Sequence, residues 1–275
     1  MNKDLYFWVL FFIVAFIGPV NAQPKVEILI EDLSLATAID ISPNAELFIV
    51  ESGKNRVVKF DLEGKLLDSF GGRGSGDYQF DNPGSMDVTN GLKIYVTDLA
   101  NRRIQIFDNR YQFIGSFTSV HVQNYRFDPL YINVDKFGNL FTYLRSDHML
   151  IRFGLMGRPD LIIGPLQQYG IEKVTALHLF NDLVYIADSN KGVIHRFSKE
   201  GEYLNFISVI PGVLAMTSDE EYIYLLNKDT ISIINHQGIE LKKMPVSPSD
   251  FTGISIWDGM VYLLTESRLL RYKLP

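Results

Sequence analysis

The sequence predicts an all-β protein, a six-bladed β-propeller of four-stranded antiparallel blades. The first observation is a repeat: residues 48–70 and 94–117 share an apolar run, an acidic residue, an Asn/Arg pair and a second apolar run. Six such units follow one another at intervals of about 40 residues, the length of one propeller blade. The second observation is that the runs are short and alternate with period two between turn sequences, as strands in hairpins do. The second runs of the six units end at Phe60, Phe107, Phe153, Phe197, Ile234 and Tyr272.

The last unit supplies only three strand-like runs, starting near Phe251. A candidate for its fourth strand stands at the other end of the chain, where residues 25–30 read KVEILI. Pairing this N-terminal strand with the outer edge of the last blade would close the ring and cover an exposed sheet edge. The alternative is an untethered N-terminal tail.

The first 22 residues have the pattern of a secretory signal peptide. Lys3 precedes an apolar run from Leu5 to Ile17, and the small-residue site Val20-Asn21-Ala22 follows. An uncleaved membrane anchor is the alternative, but the run is shorter than the roughly 20 residues that a span requires. The predicted domains are therefore a cleaved segment, 1–22, and a propeller, 23–275, with no membrane insertion after cleavage.

Composition limits the possible compartments and classes of partner. The net charge is −6 and the Lys and Arg residues are dispersed, which argues against a nucleic-acid partner. The chain has no Cys, so it has neither a disulfide framework nor a lipid-modified cysteine. No Asn-x-Ser/Thr acceptor site is present. These features favour a bacterial periplasmic or secreted protein, expected to be a monomer.

Residues 71–108 resemble an NHL repeat, a unit of six-bladed propellers. The family pattern is matched at Gln79-Phe80, Pro83, Val96-Thr97-Asp98, Asn101, Arg103-Ile104 and Phe107-Asp108. The resemblance implies a propeller and leaves three functions open. They are a binding or interaction scaffold, a metal-dependent lactonase or amidating lyase, and an RNA-binding protein, of which the charge and the signal peptide exclude the last.

Local catalytic motifs are weak. The Gly-rich stretch 71–76 lacks the Lys-Ser/Thr of a phosphate loop and is interpreted as a loop between blades. The sequence contains no Gly-x-Ser-x-Gly elbow, no thiol and no His pair at zinc spacing. Arg56 and Arg103 each follow an acidic residue by five positions, which favours a structural ion pair between strands over a ligand site.

The innermost strands provide the candidate site. Aligning them predicts that a polar residue of each of five units shares one register, with apolar neighbours on both sides: Asp40, Asp87, Asn133, His178 and Ser255. In unit five, Met216 or a neighbour takes this position and breaks the pattern. Period-two alternation sends the apolar residues against adjacent blades and the polar ones toward the axis of the ring. There they could coordinate a hard cation or hold a small polar ligand; alternatively, they hydrogen-bond backbone groups and water.

We therefore expect an exported, non-enzymatic binding or scaffold protein whose partner is a protein or a small polar ligand. No cofactor is expected, with a Ca²⁺ or Zn²⁺ ion in the channel as the alternative. The alternative function is a metal-dependent lactonase- or lyase-like enzyme working at the central channel.

Overall fold

The computed structural model describes residues 26–122 and 124–274 as six four-stranded antiparallel sheets. The predicted signal peptide, residues 1–22, lies outside the described residues. The strands of blades 1 to 3 are β2 (Ala36–Ile41), β3 (Leu47–Glu51), β4 (Arg56–Phe60), β5 (Leu66–Gly71), β6 (Pro83–Asp87), β7 (Lys93–Asp98), β8 (Arg103–Asp108), β9 (Phe113–Phe117), β10 (Pro129–Val134), β11 (Leu140–Leu144), β12 (Met149–Phe153) and β13 (Pro159–Ile163). Those of blades 4 to 6 are β14 (Val174–Phe180), β15 (Leu183–Asp188), β16 (Val193–Ser198), β17 (Tyr203–Ser208), β18 (Ala215–Ser218), β19 (Ile223–Leu226), β20 (Thr230–Ile234), β21 (Glu240–Pro245), β22 (Phe251–Trp257), β23 (Met260–Thr265) and β24 (Leu269–Lys273), with β1 (Val26–Ile30) as the outer strand of blade 6.

This is the predicted six-bladed β-propeller. The only helical segments in the described part of the chain are three short 3₁₀ turns at Ser52–Lys54, Ser119–His121 and Leu166–Tyr169. No helix of the described residues is long and apolar enough to span a bilayer. The Gly-rich stretch joins blade 1 to blade 2, since β5 ends at Gly71 and β6 begins at Pro83.

Closure of the ring by the N-terminal strand is confirmed. β1 pairs antiparallel with β24, placing Val26 opposite Tyr272 and Ile28 opposite Leu270. The guanidinium of Arg271 reinforces this seam because it donates to Glu27 on β1 at 2.9 Å and to Glu63 of blade 1 at 2.8 Å. β1 therefore covers an edge that β24 would otherwise expose, and it joins the last blade to the first.

The core lies between the blades. Each blade has a forward face, directed toward the next blade in chain order, and a backward face directed toward the previous one. Phe48 of blade 1, for example, packs against Met86, Val96 and Phe107 of blade 2. A buried aromatic residue occupies the same position on the second strand of every blade: Phe48, Tyr95, Phe141, Tyr185, Tyr224 and Tyr262. Six hydrophobic interfaces between neighbouring blades therefore take the place of a single central core.

Arginines on the third strands connect blades near the outside of the ring. Arg152 Nη1 donates to the carbonyl of Lys199 at 2.7 Å, and Arg196 Nη1 donates to the carbonyl of His236 at 2.6 Å. Each acceptor lies in the turn between the third and fourth strands of the following blade. The ion pair predicted within blade 2 is also present, because Arg103 Nε lies 2.8 Å from Asp98 Oδ2. These arginines serve the architecture rather than a ligand.

Candidate functional site

The innermost strands of all six blades, β2, β6, β10, β14, β18 and β22, surround a cavity of about 720 Å³ on the ring axis. Its apolar lining includes one residue from the same position of each blade: Ile39, Met86, Ile132, Leu177, Met216 and Ile254. Its polar lining includes Thr37, Asp40, Asn133, Thr175, His178, Thr217, Ser218, Thr252 and Ser255. A cavity of this size, with polar and apolar groups around its wall, has the form of a small-molecule site.

Strand pairing shows that the candidate residues share one register. His178 lies opposite Tyr185, and each of the other four candidates lies opposite the buried aromatic residue on the second strand of its own blade. Blade 5 does not break the series, since Thr217 lies opposite Tyr224. The position expected for Met216 or a neighbour is taken by the neighbour Thr217, a polar residue, so the predicted break in the pattern is wrong. The aromatic residue on the following strand is the sequence signal that would have placed it.

Asp40 and Asp87 do not simply project toward the axis. Asp40 Oδ2 accepts the backbone N–H of Val88 at 2.9 Å, and Asp87 Oδ2 accepts the backbone N–H of Val134 at 2.8 Å. Val134 ends the innermost strand of the next blade and Val88 directly follows the corresponding strand of its blade, and at this sheet edge N–H groups lack a strand partner. The backbone hydrogen bonding considered as the alternative is therefore what these two carboxyl groups do. Asp87 is also almost fully buried and lies behind the lining.

The two carboxyl groups differ in their donors. Asp87 accepts from Val134 N–H, Thr89 N–H, the Thr89 hydroxyl and Asn133 Nδ2. Asp40 accepts only the N–H groups of Val88 and Ile41. Burial, followed by the charge of Asp87, raises the pKa of Asp40 well above its ordinary value, while burial also raises the pKa of Asp87. Because Asp87 has more donors, we place the negative charge on Asp87 and the proton on Asp40.

Burial shifts the pKa of His178 in the opposite direction from the pKa values of the two aspartates. The Nε2 of His178 lies 2.8 Å from the hydroxyl of Ser218 on the next blade. Burial lowers the pKa of His178 to about 4, so the imidazole is neutral near pH 7. Sequence reasoning missed Ser218 because it lies one residue past the shared register. Ser255 lines the same cavity, and Asn133 contributes its amide to Asp87.

The donor set does not fit a resident metal ion. Among the described residues, no group of three or more His, Cys, Asp or Glu side chains is placed to hold one. Each oxygen of Asp40 and Asp87 already accepts a hydrogen bond, and His178 Nε2 is engaged by Ser218. These hydrogen bonds compete with a Ca²⁺ or Zn²⁺ ion for the same atoms.

The fold and the cavity define the class: a six-bladed β-propeller with an axial small-molecule cavity. No family model matches the chain, and no curated protein matches it. Solved structures do. They include virginiamycin B lyase from Staphylococcus aureus, with a TM-score of 0.68 and 13% identity over 91% of this chain and 99% of that one. A gluconolactonase from Xanthomonas campestris has a TM-score of 0.73 and 12% identity over 92% and 90% of the two chains. A streptogramin B lyase has a TM-score of 0.66 and 14% identity over 91% and 98%.

These neighbours correct the functional expectation. A non-enzymatic binding or scaffold protein is the expectation from the sequence, but solved structures that this chain resembles over 90% or more of their length are named as lyases and gluconolactonases. These names agree better with the alternative expectation, a lactonase- or lyase-like enzyme, than with a scaffold. At 12–14% identity the likeness establishes the propeller fold, and the NHL family is not specifically shown.

Proposed function

We propose that the axial cavity is the active site of a lactonase- or lyase-like enzyme. The observation that supports this most is that one cavity is lined by a carboxyl group whose pKa burial raises and an imidazole whose pKa burial lowers. Asp40 comes from blade 1 and His178 from blade 4, and both line the cavity. Environments that move the pKa values of two titratable groups in opposite directions provide one acid and one base at the same pH.

For a lactone, the two groups divide the work of ring opening. His178 accepts a proton from water as the water oxygen attacks the ester carbonyl. The carbon–oxygen bond of the ring then breaks, and the leaving alkoxide takes the proton of Asp40. Solvent returns the proton from the imidazolium to the carboxylate, which restores the starting state. For a lyase reaction, His178 would instead remove a proton from carbon while Asp40 protonates the departing group.

Further proposals concern the repeat type, the compartment and the processing of the chain. We propose that the repeat is of the NHL type, that the chain is exported to the bacterial periplasm or medium, and that residues 1–22 are removed. The Asp98–Arg103 pair and the packing of Phe107 support the first of these, since both fall on the family pattern. The apolar run from Leu5 to Ile17 supports the second and third.

The test is turnover of compounds chosen from the neighbours' names. Virginiamycin B and gluconolactone would be incubated with the full chain, and product formation followed by mass spectrometry and by pH-stat titration. Replacing either His178→Gln or Asp40→Asn should lower kcat/KM by about 100-fold or more, the usual contribution of one acid–base group. His236→Gln and Asp68→Asn, whose side chains lie outside the cavity, are the matched controls. Equal turnover by the two cavity variants and the parent would refute the assignment.

A further inference from the structure

The charge and polarity of the cavity restrict what can bind in it. Among the described residues that line the cavity, none is a Lys, an Arg or a Glu, and the ionisable ones are Asp40, Tyr131 and His178. Asp87, which we assign the buried charge, lies directly behind this wall and contacts Asn133. A carboxylate or phosphate ligand would therefore enter a site with no cation to pair with and with a negative charge nearby.

Every blade contributes apolar side chains to the wall, beside the polar residues named above. The six residues Ile39, Met86, Ile132, Leu177, Met216 and Ile254 form an apolar collar, defined here as the lining residue just before the shared register in each blade. Leu99, Leu130 and Leu214 add to the apolar lining, and Trp257 contributes an aromatic surface. Several polar groups of the wall already have protein partners, since the hydroxyls of Thr37, Thr175 and Thr252 donate to backbone carbonyls. They leave a polyhydroxylated ligand few free donors to replace its hydrogen bonds to water.

We infer that the cavity takes an uncharged substrate with a large apolar body, rather than a sugar lactone or an anion. This inference rests on the proposed function, because it names the substrate class of the same site. His178, Ser218 and Asp40 are then the lining groups that would contact a polar functional group of such a molecule. Ring opening of an uncharged lactone creates a carboxylate, which the site has no cation to hold. The same wall that accepts the substrate thus favours release of the product.

Binding can be measured without turnover because Trp257 lines the cavity. The chain has two tryptophans, Trp8 and Trp257, and Trp257→Phe identifies which one reports. The probes are γ-undecalactone, its own ring-opened 4-hydroxy carboxylate, and gluconolactone. We expect the apolar lactone to change Trp257 fluorescence saturably and to bind at least about tenfold more tightly than the carboxylate, the effect of one charge at about 10 Å at an intermediate dielectric. Gluconolactone should bind more weakly than γ-undecalactone.

Two substitutions of Leu214 test whether the apolar wall and the absence of a cation determine which probe binds. Leu214→Ser should weaken binding of γ-undecalactone, while Leu66→Ser on the outer strand of blade 1 should not. Leu214→Lys should improve binding of the carboxylate relative to the lactone, since it supplies the missing cation. Tighter binding of gluconolactone or of the carboxylate by the parent, or no saturable change with γ-undecalactone, would overturn the inference.

The same measurements separate this inference from the proposed function. Selective binding of the apolar lactone without any turnover would leave the substrate class standing and remove the enzyme. Turnover of gluconolactone together with failure to bind the apolar lactone would support the enzyme and refute the substrate class.

Discussion

At the scale of single residues, the shared register of the innermost strands assigns different tasks to similar side chains. Asp40 and Asp87 occupy equivalent positions in neighbouring blades and reach equivalent N–H groups, at Val88 and Val134. Asp87 gains further donors from Thr89 and Asn133 and is buried, whereas Asp40 lines the cavity. Asp87 is thereby a structural acceptor, and Asp40 is available for chemistry.

The two aspartates should respond differently to amidation. Asp87→Asn replaces a charged acceptor of several donors and leaves at least one buried N–H facing an amide NH₂, so we expect a loss of about 3 kcal/mol in the free energy of unfolding. Asp40→Asn resembles the protonated carboxyl group and should cost about 1 kcal/mol. Urea unfolding of both variants measures the difference. Equal losses would contradict the placement of the charge on Asp87.

His178 should make stability depend on pH. Its pKa in the folded protein is about 4, against 6.5 for an unperturbed imidazole. A lowered pKa contributes stability that is fully present above pH 6.5 and is lost as the pH falls toward 4, by up to about 3 kcal/mol. Relative to His178→Gln, the parent should therefore lose stability between pH 7 and pH 4 in thermal melts. A constant difference between the two proteins across this range would show that burial does not disfavour the imidazolium.

At the scale of elements, two kinds of contact connect each blade to the next. The buried aromatic of the second strand packs near the axis, and an arginine of the third strand donates to a turn carbonyl farther out, as Arg196 does to His236. The arginine bonds are charge-assisted and partly screened from water, so each stabilises the interface more than a surface ion pair does.

Removing one arginine contact should loosen one interface. Arg196→Met keeps the apolar stem of the side chain and loses the bonds to the His236 carbonyl and to Asn205, so we expect a cost of about 1–2 kcal/mol. Arg110→Met, in the exposed turn after β8, is the matched control and should change stability by less than about 0.5 kcal/mol. Chemical denaturation compares them. Identical effects would place the arginine contact among the negligible surface pairs.

At the scale of the whole molecule, stability depends on closing the ring. The seam between β1 and β24 joins segments at opposite ends of the chain, and backbone pairing, Arg271 and the apolar residues beside it hold it without any covalent link. Since each interface is shared by two blades, an open seam would expose the faces of the first and last blades to water.

A disulfide across the seam should stabilise the molecule. Ile28 and Leu270 are directly paired, and joining them as cysteines would close a loop of more than 200 residues. In the double variant Ile28→Cys/Leu270→Cys, oxidation should raise the free energy of unfolding by about 4–5 kcal/mol relative to the reduced form of the same protein. Comparing the two redox states cancels the cost of the substitutions. Equal melting temperatures of the oxidised and reduced forms would contradict the prediction that ring closure at this seam limits stability.

The sequence alone determined the architecture, because a repeat of period-two runs at blade length leaves few other ways to bury the apolar faces. It also determined the closing strand, since the last unit was one strand short, and it brought five of the six register positions into alignment. The sixth, Thr217, was missed because β18 is short and its own residues carry no strong pattern.

Only the tertiary structure decided what the register residues do. A single strand cannot reveal that its neighbour around the ring presents an unpaired N–H, so the diversion of Asp40 and Asp87 toward Val88 and Val134 was invisible in the repeat. The same holds for the contact between His178 and Ser218, which joins residues 40 positions apart on different blades. Period-two alternation fixes the face on which a side chain stands. What that side chain touches depends on how closely the next blade approaches, and closure of the ring sets that distance.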